Sequence, residues 1–344
     1  MEERKRMLST LGLDVGDTWT HWAVMGRDGL GREGRVKTTA PELQKVFQRS
    51  GASAVVLEAG SQSPWIDRLG RAAGFEVTVV NPNRLQAVSA SVRKTDRNDA
   101  RLLAELGHSG LLLWEVHHRG ESAQRGLQLL TSRDKLVTCR TKLVNQVRGH
   151  AKSLGTPLAS CDADQFHRLS GSVGEMEDAE PLFLVIGQLT SAIKDYEVRI
   201  RQLAKEHPVA QRLMTVPGVG PLTALAFVYV VDDPARFPKS RQVGPYLGLT
   251  PRIDSSGQSN KELRITKAGN GFMRRLLVSS AQTLLRLESK PSALRDWGVA
   301  LVDRGGRSAK KKAAVAVARK LAVNMHKIWV SGETWTPYPE QDQA

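Results

Sequence analysis

Short apolar runs and helical stretches alternate through the first 110 residues, and their order admits few folds. Leu11, Leu13 and Val15 alternate with small or polar neighbours, as do Trp19, His21, Ala23 and Met25. That period predicts two half-buried strands. The Asp28-Gly29 pair predicts a hairpin turn into a third. Pro41 opens a helix ending near Gly51. Ala54-Val55-Val56-Leu57 predicts a short strand ending at Glu58, a helix follows Pro64, and Phe75 to Val80 reads as a strand stopped by Asn81-Pro82. A further helix runs from Lys94 to Leu103. The predicted order, β-β-β-α-β-α-β-α, is a meander continued by βα units: a mixed sheet covered by helices.

The middle, 115–206, reads as helical. Leu182, Ile186, Leu189, Ile193, Tyr196, Ile200 and Leu203 follow a 4-3 spacing, an a/d seam beginning just after Pro181. Leu130, Val137, Val144 and Ala151 repeat every seven residues in the preceding helix, about 121–154. A helical hairpin, a coiled-coil dimer or a plain spacer would all bury such seams. The last third, 207–335, reads as helical and basic, and the tail 336–344 as loose.

Charge narrows the partners. The chain has 50 Lys+Arg against 35 Asp+Glu, a net charge of +15. Sixteen of the basic residues, against five acidic ones, lie between Arg252 and Lys320. Arg125, Arg133, Lys135, Arg140, Lys142, Arg148 and Lys152 mark the first middle helix. Such an excess favours a polyanion, nucleic acid first. Cys139 and Cys161 have no metal-ligand spacing, which argues against a zinc finger. No apolar run reaches the roughly 18 residues needed to cross a bilayer, so no membrane partner is expected. A cytoplasmic, nucleoid-associated location follows.

The acidic candidates are Asp14 and Glu58 at strand ends, with Asp96 and Asp99 three apart at a helix start. Strand ends in such a sheet share an edge, so the four can converge. Four carboxylates together need a cation, and an oxygen-only set selects a hard ion such as Mg²⁺. Each has a simpler reading: Asp96 can cap its helix and Asp99 can answer the helix dipole.

Two further features lie downstream. Val216-Pro217-Gly218-Val219-Gly220-Pro221 sits between apolar helical segments and reads as a helix-hairpin-helix, in which Gly218 and Gly220 let backbone N–H groups approach a phosphate. Gly248-Leu249-Thr250-Pro251-Arg252 leads to a loop with Ser255-Ser256-Gly257, followed by Lys261, Arg264, Lys267, Arg274 and Arg275. A serine hydroxyl is a weak nucleophile unless activated, but these basic groups can hold a phosphate near it. A Ser-Ser-Gly turn with no chemistry is the alternative.

Taken together, Leu13-Asp14-Val15-Gly16, Leu57-Glu58-Ala59-Gly60, Lys94-Thr95-Asp96-Arg97-Asn98-Asp99-Ala100, Val216 to Gly220, Gly248 to Arg252 with Ser255-Ser256-Gly257, and Arg264-Ile265-Thr266-Lys267-Ala268-Gly269-Asn270 resemble one family. It is that of the DEDD-type transposases of the insertion sequence numbered one hundred and ten and its relatives, bridge-RNA-guided recombinases. The resemblance implies an α/β plus all-α chain: a RuvC/RNase H-like domain at 1–114, a helical coiled-coil region at 115–206, and a transposase domain with the helix-hairpin-helix and serine loop at 207–335. It implies Mg²⁺ held by Asp14, Glu58, Asp96 and Asp99. It also implies a serine, Ser256 or Ser255, that links covalently to DNA, a dimer or tetramer, donor and target DNA, and a noncoding bridge RNA. The chain departs from relatives at Gln258 and Leu263, where glycine is frequent. Rival readings are a junction-resolvase-like nuclease using water, a non-catalytic DNA-binding protein, and a sugar-kinase-like fold suggested by Gly12 to Thr18. The kinase reading lacks a second phosphate loop.

Overall fold

The computed structural model describes residues 9–82, 95–111, 115–172, 177–256, 259–286 and 289–338. It forms two compact units, residues 1–119 and 120–344. Lys94, Gly257, Gln258 and the chain from Pro339 lie outside the described residues.

The first unit contains β1 (Thr10–Val15), β2 (Trp19–Gly26), β3 (Gly29–Lys37), α1 (Ala40–Ser50), β4 (Ala54–Glu58), α2 (Ser63–Ala72), β5 (Glu76–Val80) and α3 (Asp96–His108). The five strands lie in the order β3-β2-β1-β4-β5. β1 runs antiparallel to β2 and parallel to β4, and β4 is parallel to β5. Side-chain alternation assigns the two faces. Leu11, Leu13, Val55, Leu57, Val77 and Val79 pack with Leu43 and Phe47 of α1 and Ile66 of α2. The opposite face, with Gly12, Ala23, Val56 and Val80, is covered by Ala100, Leu103, Ala104 and Leu106 of α3. A central strand buried on both faces has to be short and almost wholly apolar, as β1 and β4 are.

The β2–β3 turn differs by one residue from the sequence expectation. Gly26 pairs with Gly29, so the loop is Arg27-Asp28 and Gly29, at φ 94°, opens β3. Arg27 and Asp28 keep negative φ, which excludes the two-residue mirror turn that Asp28-Gly29 would form.

The second unit contains α4 (Glu121–Ser153), α5 (Glu180–Glu206), α6 (Pro208–Leu213), α7 (Pro221–Val231), α8 (Val243–Tyr246), β6 (Pro251–Ser256), β7 (Ser259–Ile265), α9 (Gly271–Leu284), α10 (Ala293–Asp303) and α11 (Ala309–Ser331). α7 is buried all round from Thr223 to Val231 and forms the centre of the unit. Ala123 and Leu130 of α4, Ile200 and Ala204 of α5, and Leu277, Leu321 and Met325 of α9 and α11 join the same core.

The two seams meet as an antiparallel hairpin within the chain. Arg133 reaches Glu197, Arg140 donates to Thr190, and Val144 packs near Phe183 and Ile186. The tail expected to be loose from Thr336 is held as far as Tyr338. Pro337 accepts from the Ala293 N–H at 2.9 Å, and the Tyr338 hydroxyl donates to Asp296 at 2.9 Å.

Candidate active site

Asp14 is half-buried, just past the buried part of β1, on the α3 face two residues beyond Gly12. β4 runs beside β1 in parallel, with Leu13 opposite Leu57. Glu58 follows at the same edge, on the face that Val56 presents to α3. Asp96 is the first residue of α3, one turn before Ala100, which packs on Gly12. The backbone contact between Gly12 and Ala100 therefore sets Asp14 beside Asp96. One residue was missed from sequence: His21 of β2 pairs directly with Asp14 in the sheet. Ligand atoms of Asp14, His21 and Asp96 all lie within 4.8 Å of one another, and His21 Nδ1 is 3.6 Å from an Asp96 oxygen. Among the described residues, neither Glu58 nor Asp99 joins that trio within the same distance.

The start of α3 is fixed by two sets of groups. Thr95, not Asp96, is the N-cap: its hydroxyl accepts from the Asn98 N–H at 3.3 Å. An extended residue whose side chain turns back onto the helix satisfies an otherwise free donor. Arg97 and Arg101, one turn apart, both donate to Glu33 of β3. The Arg101 hydrogen bond, followed by that of Arg97, lowers the Glu33 carboxyl to about 2. Beyond Glu58, Ser63 pins the turn: its hydroxyl accepts from the Gly60 N–H at 3.0 Å and lies 2.8 Å from the Gly60 carbonyl. His118 Nε2 is 3.1 Å from the same hydroxyl. Burial pushes the Asp67 carboxyl up, but the nearby His118 imidazole, 3.6 Å away, and the Arg71 hydrogen bond outweigh it and leave it below its ordinary value.

The serine segment is a hairpin, not a loop. Ser255 and Ser256 are the last two residues of β6, their backbones paired with Asn260 and Ser259 of β7. Lys261 lies in β7, paired with Asp254. The base of the hairpin is built by close backbone approach. A Cβ on Gly248 would lie 2.3 Å from the Ala268 carbonyl oxygen, and one on Gly269 would lie 2.1 Å from that of Tyr246. Both glycines have positive φ, and Lys267 between them shares that conformation at 57°.

Arg274, expected on a DNA-facing surface, is half-buried. Its guanidinium donates to the carbonyls of Leu247 (3.0 Å), Ala268 and Gly269 (3.3 Å). All three contacts are made by one nitrogen, Nη1, whose charged N–H groups are shared among the carbonyls. Arg275 pairs with Asp134 of α4 at 2.8 Å. Arg252, Arg264 and Lys267 are exposed.

The glycine turn between α6 and α7 lies where expected, with Gly218 and Gly220 both exposed. Gly218 also has a packing reason: at φ 79°, a Cβ there would lie 2.7 Å from the Ser280 carbonyl oxygen. Gly220 caps α7, with open space where a side chain would be. On α4, Arg133, Arg140 and Arg148 are engaged by Glu197, Thr190 and the Phe166 ring respectively. Arg125, Lys135, Lys142 and Lys152 of the same helix are exposed.

A helix-covered mixed sheet with acids at the edge of its central strands defines an RNase H-like nuclease domain of the DEDD type, a class that implies a divalent metal ion. Residues 11–155 match the DEDD transposase family of the IS110 type, and residues 210–295 match the family described as transposase IS116/IS110/IS902. The transposase for insertion sequence element IS1111A of Coxiella burnetii is 33% identical over 293 residues, covering 82% of this chain and 79% of its own length. A putative transposase of Sinorhizobium fredii, y4pF/y4sB, is 29% identical over 317 residues, 90% of this chain and 81% of its own. The pilin gene-inverting protein of Moraxella lacunata is 26% identical over 251 residues, 72% of this chain and 70% of its own. The chain belongs to the IS110/IS116/IS902 family of transposases. Among the described residues, no helix is long and apolar enough to cross a membrane.

Proposed function

We propose that this transposase cuts and rejoins DNA strands at the ends of its insertion element, with Asp14, Glu58, Asp96 and Asp99 as its metal-binding acids and a serine of the Ser255-Ser256 pair as its nucleophile. The observation that carries the reading is the gathering of Asp14 and Asp96 at one sheet edge, with Glu58 on the same face of the neighbouring strand. The donor chemistry fits a divalent cation, Mg²⁺ or a close relative: carboxylates on separate elements are held together by the fold and offer hard oxygen ligands. A bound ion there would neutralise the scissile phosphate and favour the leaving oxygen.

In the reading proposed, the serine oxygen attacks phosphorus and its proton passes, directly or through water, to the leaving deoxyribose oxygen. An O–P bond forms and the bond to the leaving deoxyribose oxygen breaks. The phosphoserine link keeps the bond energy, so the returning oxygen can rejoin the strand without ATP. A relative named a pilin gene-inverting protein fits a reaction in which cut strands are rejoined. The exposed basic groups of the second unit, Arg252, Arg264 and Lys267 among them, would grip DNA backbones and read little sequence. Choice of ends is then delegated to a noncoding bridge RNA paired with donor and target, and the work is done by a homo-oligomer in the cytoplasm at the nucleoid.

Two measurements test this. Denaturing gels of the reaction should trap protein attached to cut DNA, and the double variant Ser255→Ala, Ser256→Ala should lose that product while still binding DNA. Cleavage that continues without an attached protein would instead support water as nucleophile. Protein expressed with the flanking noncoding segment of its element should co-purify with that RNA, and recombination should depend on it.

A further inference from the structure

We propose that His21 is a nitrogen ligand of the metal site at the sheet edge, so that the site prefers Mn²⁺ to Mg²⁺. The inference rests on the metal-site reading above and adds a donor that the four-acid set lacks. His21 is placed by the sheet itself. Its backbone is paired on one side with Asp14 of β1 and on the other with Arg35 of β3, so the position of its ring is tied to the strand that carries Asp14. The side chain is 22% exposed, whereas that of Asp96 is 73% exposed. The imidazole is therefore the more enclosed of the two, and a carboxylate from a separate helix reaches toward it.

The distances suit a shared metal ion as well as an ion pair. An ion pair needs two groups. Here three donors from three elements lie within 4.8 Å of one another. Octahedral donors about 2.0–2.1 Å from an ion sit roughly 3–4 Å apart, so a small closure of the trio would complete a shared coordination sphere. Donor chemistry then sets the choice of ion. Mg²⁺ takes oxygen ligands and keeps its waters. A nitrogen donor favours first-row transition ions over Mg²⁺, and Mn²⁺ is the one among them that also suits a carboxylate set. Replacing an all-oxygen set by one that contains His21 shifts the balance toward Mn²⁺.

The test uses the full chain with Mn²⁺ alone, then Mg²⁺ alone, and reads binding rather than turnover. Pulsed electron paramagnetic resonance detects ¹⁴N coupled to bound Mn²⁺, and calorimetry gives both affinities. We expect ¹⁴N coupling in the wild-type chain, its loss in His21→Asp with Mn²⁺ still bound, and a fall in the Mn²⁺ to Mg²⁺ affinity ratio on the order of tenfold. Asp14→Asn should weaken both ions together. Mn²⁺ bound to the wild-type chain without ¹⁴N coupling would overturn the role of His21 and leave the carboxylate site standing. That readout needs no variant to fold. Coupling that survives His21→Asp would overturn it equally. Absence of any Mn²⁺ or Mg²⁺ binding would overturn the metal-site reading along with it.

Discussion

A Cβ built on Gly12 would lie 2.2 Å from the carbonyl oxygen of Ala100 and 2.4 Å from the amide nitrogen of Ala104. Both obstructing atoms are helix backbone, so α3 can lie this close to β1 only while residue 12 has no side chain. The same contact sets Asp14, two residues along the strand, beside Asp96, one turn up the helix. Gly12→Val should lift α3 from the sheet. Overpacking of this kind costs about 1–3 kcal/mol, and the rigid neighbours place it at the upper end. Denaturant unfolding should show that loss, and Mn²⁺ affinity should fall with it. A variant as stable as wild type would show that α3 does not depend on the contact.

Glu33 makes the same helix sensitive to acid. Its carboxyl is held at about 2, against an ordinary 4.5, by Arg101 and Arg97. A lowered acid stabilises the fold fully above its unfolded value, and the contribution disappears as pH falls through the folded one. Stability should therefore drop between pH 4.5 and 2. Glu33→Gln should flatten that part of the curve, leaving the share due to other lowered acids such as Asp67. Urea titrations at several pH values compare the two proteins. Parallel curves would remove Glu33 from the account.

Thr95 offers a smaller and more local test. Its hydroxyl caps α3, and Asp96 is only the first helical residue. Thr95→Ala should cost about 0.5–2 kcal/mol and fray the turn that carries Asp96. Asn at the same position should restore most of it. Faster amide exchange at Arg97 to Asp99 in Thr95→Ala, and not in Thr95→Asn, is the expected signature.

The elements of the first unit were legible in the sequence because period and punctuation agree there. Alternation ran through Leu11, Leu13 and Val15, Pro41 and Gly51 bracketed a helix, and Asn81-Pro82 stopped a strand. His21 was legible only by counting. The tight connection closed by the Gly16 N–H to Trp19 carbonyl bond fixes the register, and that register puts residue 21 opposite residue 14. The β6–β7 hairpin gave no such signal. Its strands are polar, and its base is made by non-local approach of Gly248 to Ala268 and of Gly269 to Tyr246. The carbonyl contacts of Arg274 were hidden from the sequence for a related reason. Charge alone does not say whether a guanidinium meets solvent or three carbonyls.

That distinction separates two kinds of arginine and yields the last prediction. Arg252 and Arg264 are exposed on β6 and β7, whereas Arg274 is occupied by the carbonyls of Leu247, Ala268 and Gly269. If the exposed pair grips phosphates, Arg252→Ala and Arg264→Ala should each lower affinity for duplex DNA of any sequence. Each should also reduce the dependence of log affinity on log salt by about one unit, since one fewer counterion is released. Stability should change little. Arg274→Ala should behave in the opposite way. Loss of its charged hydrogen bonds, the one to the Leu247 carbonyl part-buried, should cost about 1–3 kcal/mol in unfolding, while the salt slope of DNA binding stays as in wild type. A reduced salt slope for Arg274→Ala with unchanged stability would return that residue to the DNA-binding surface.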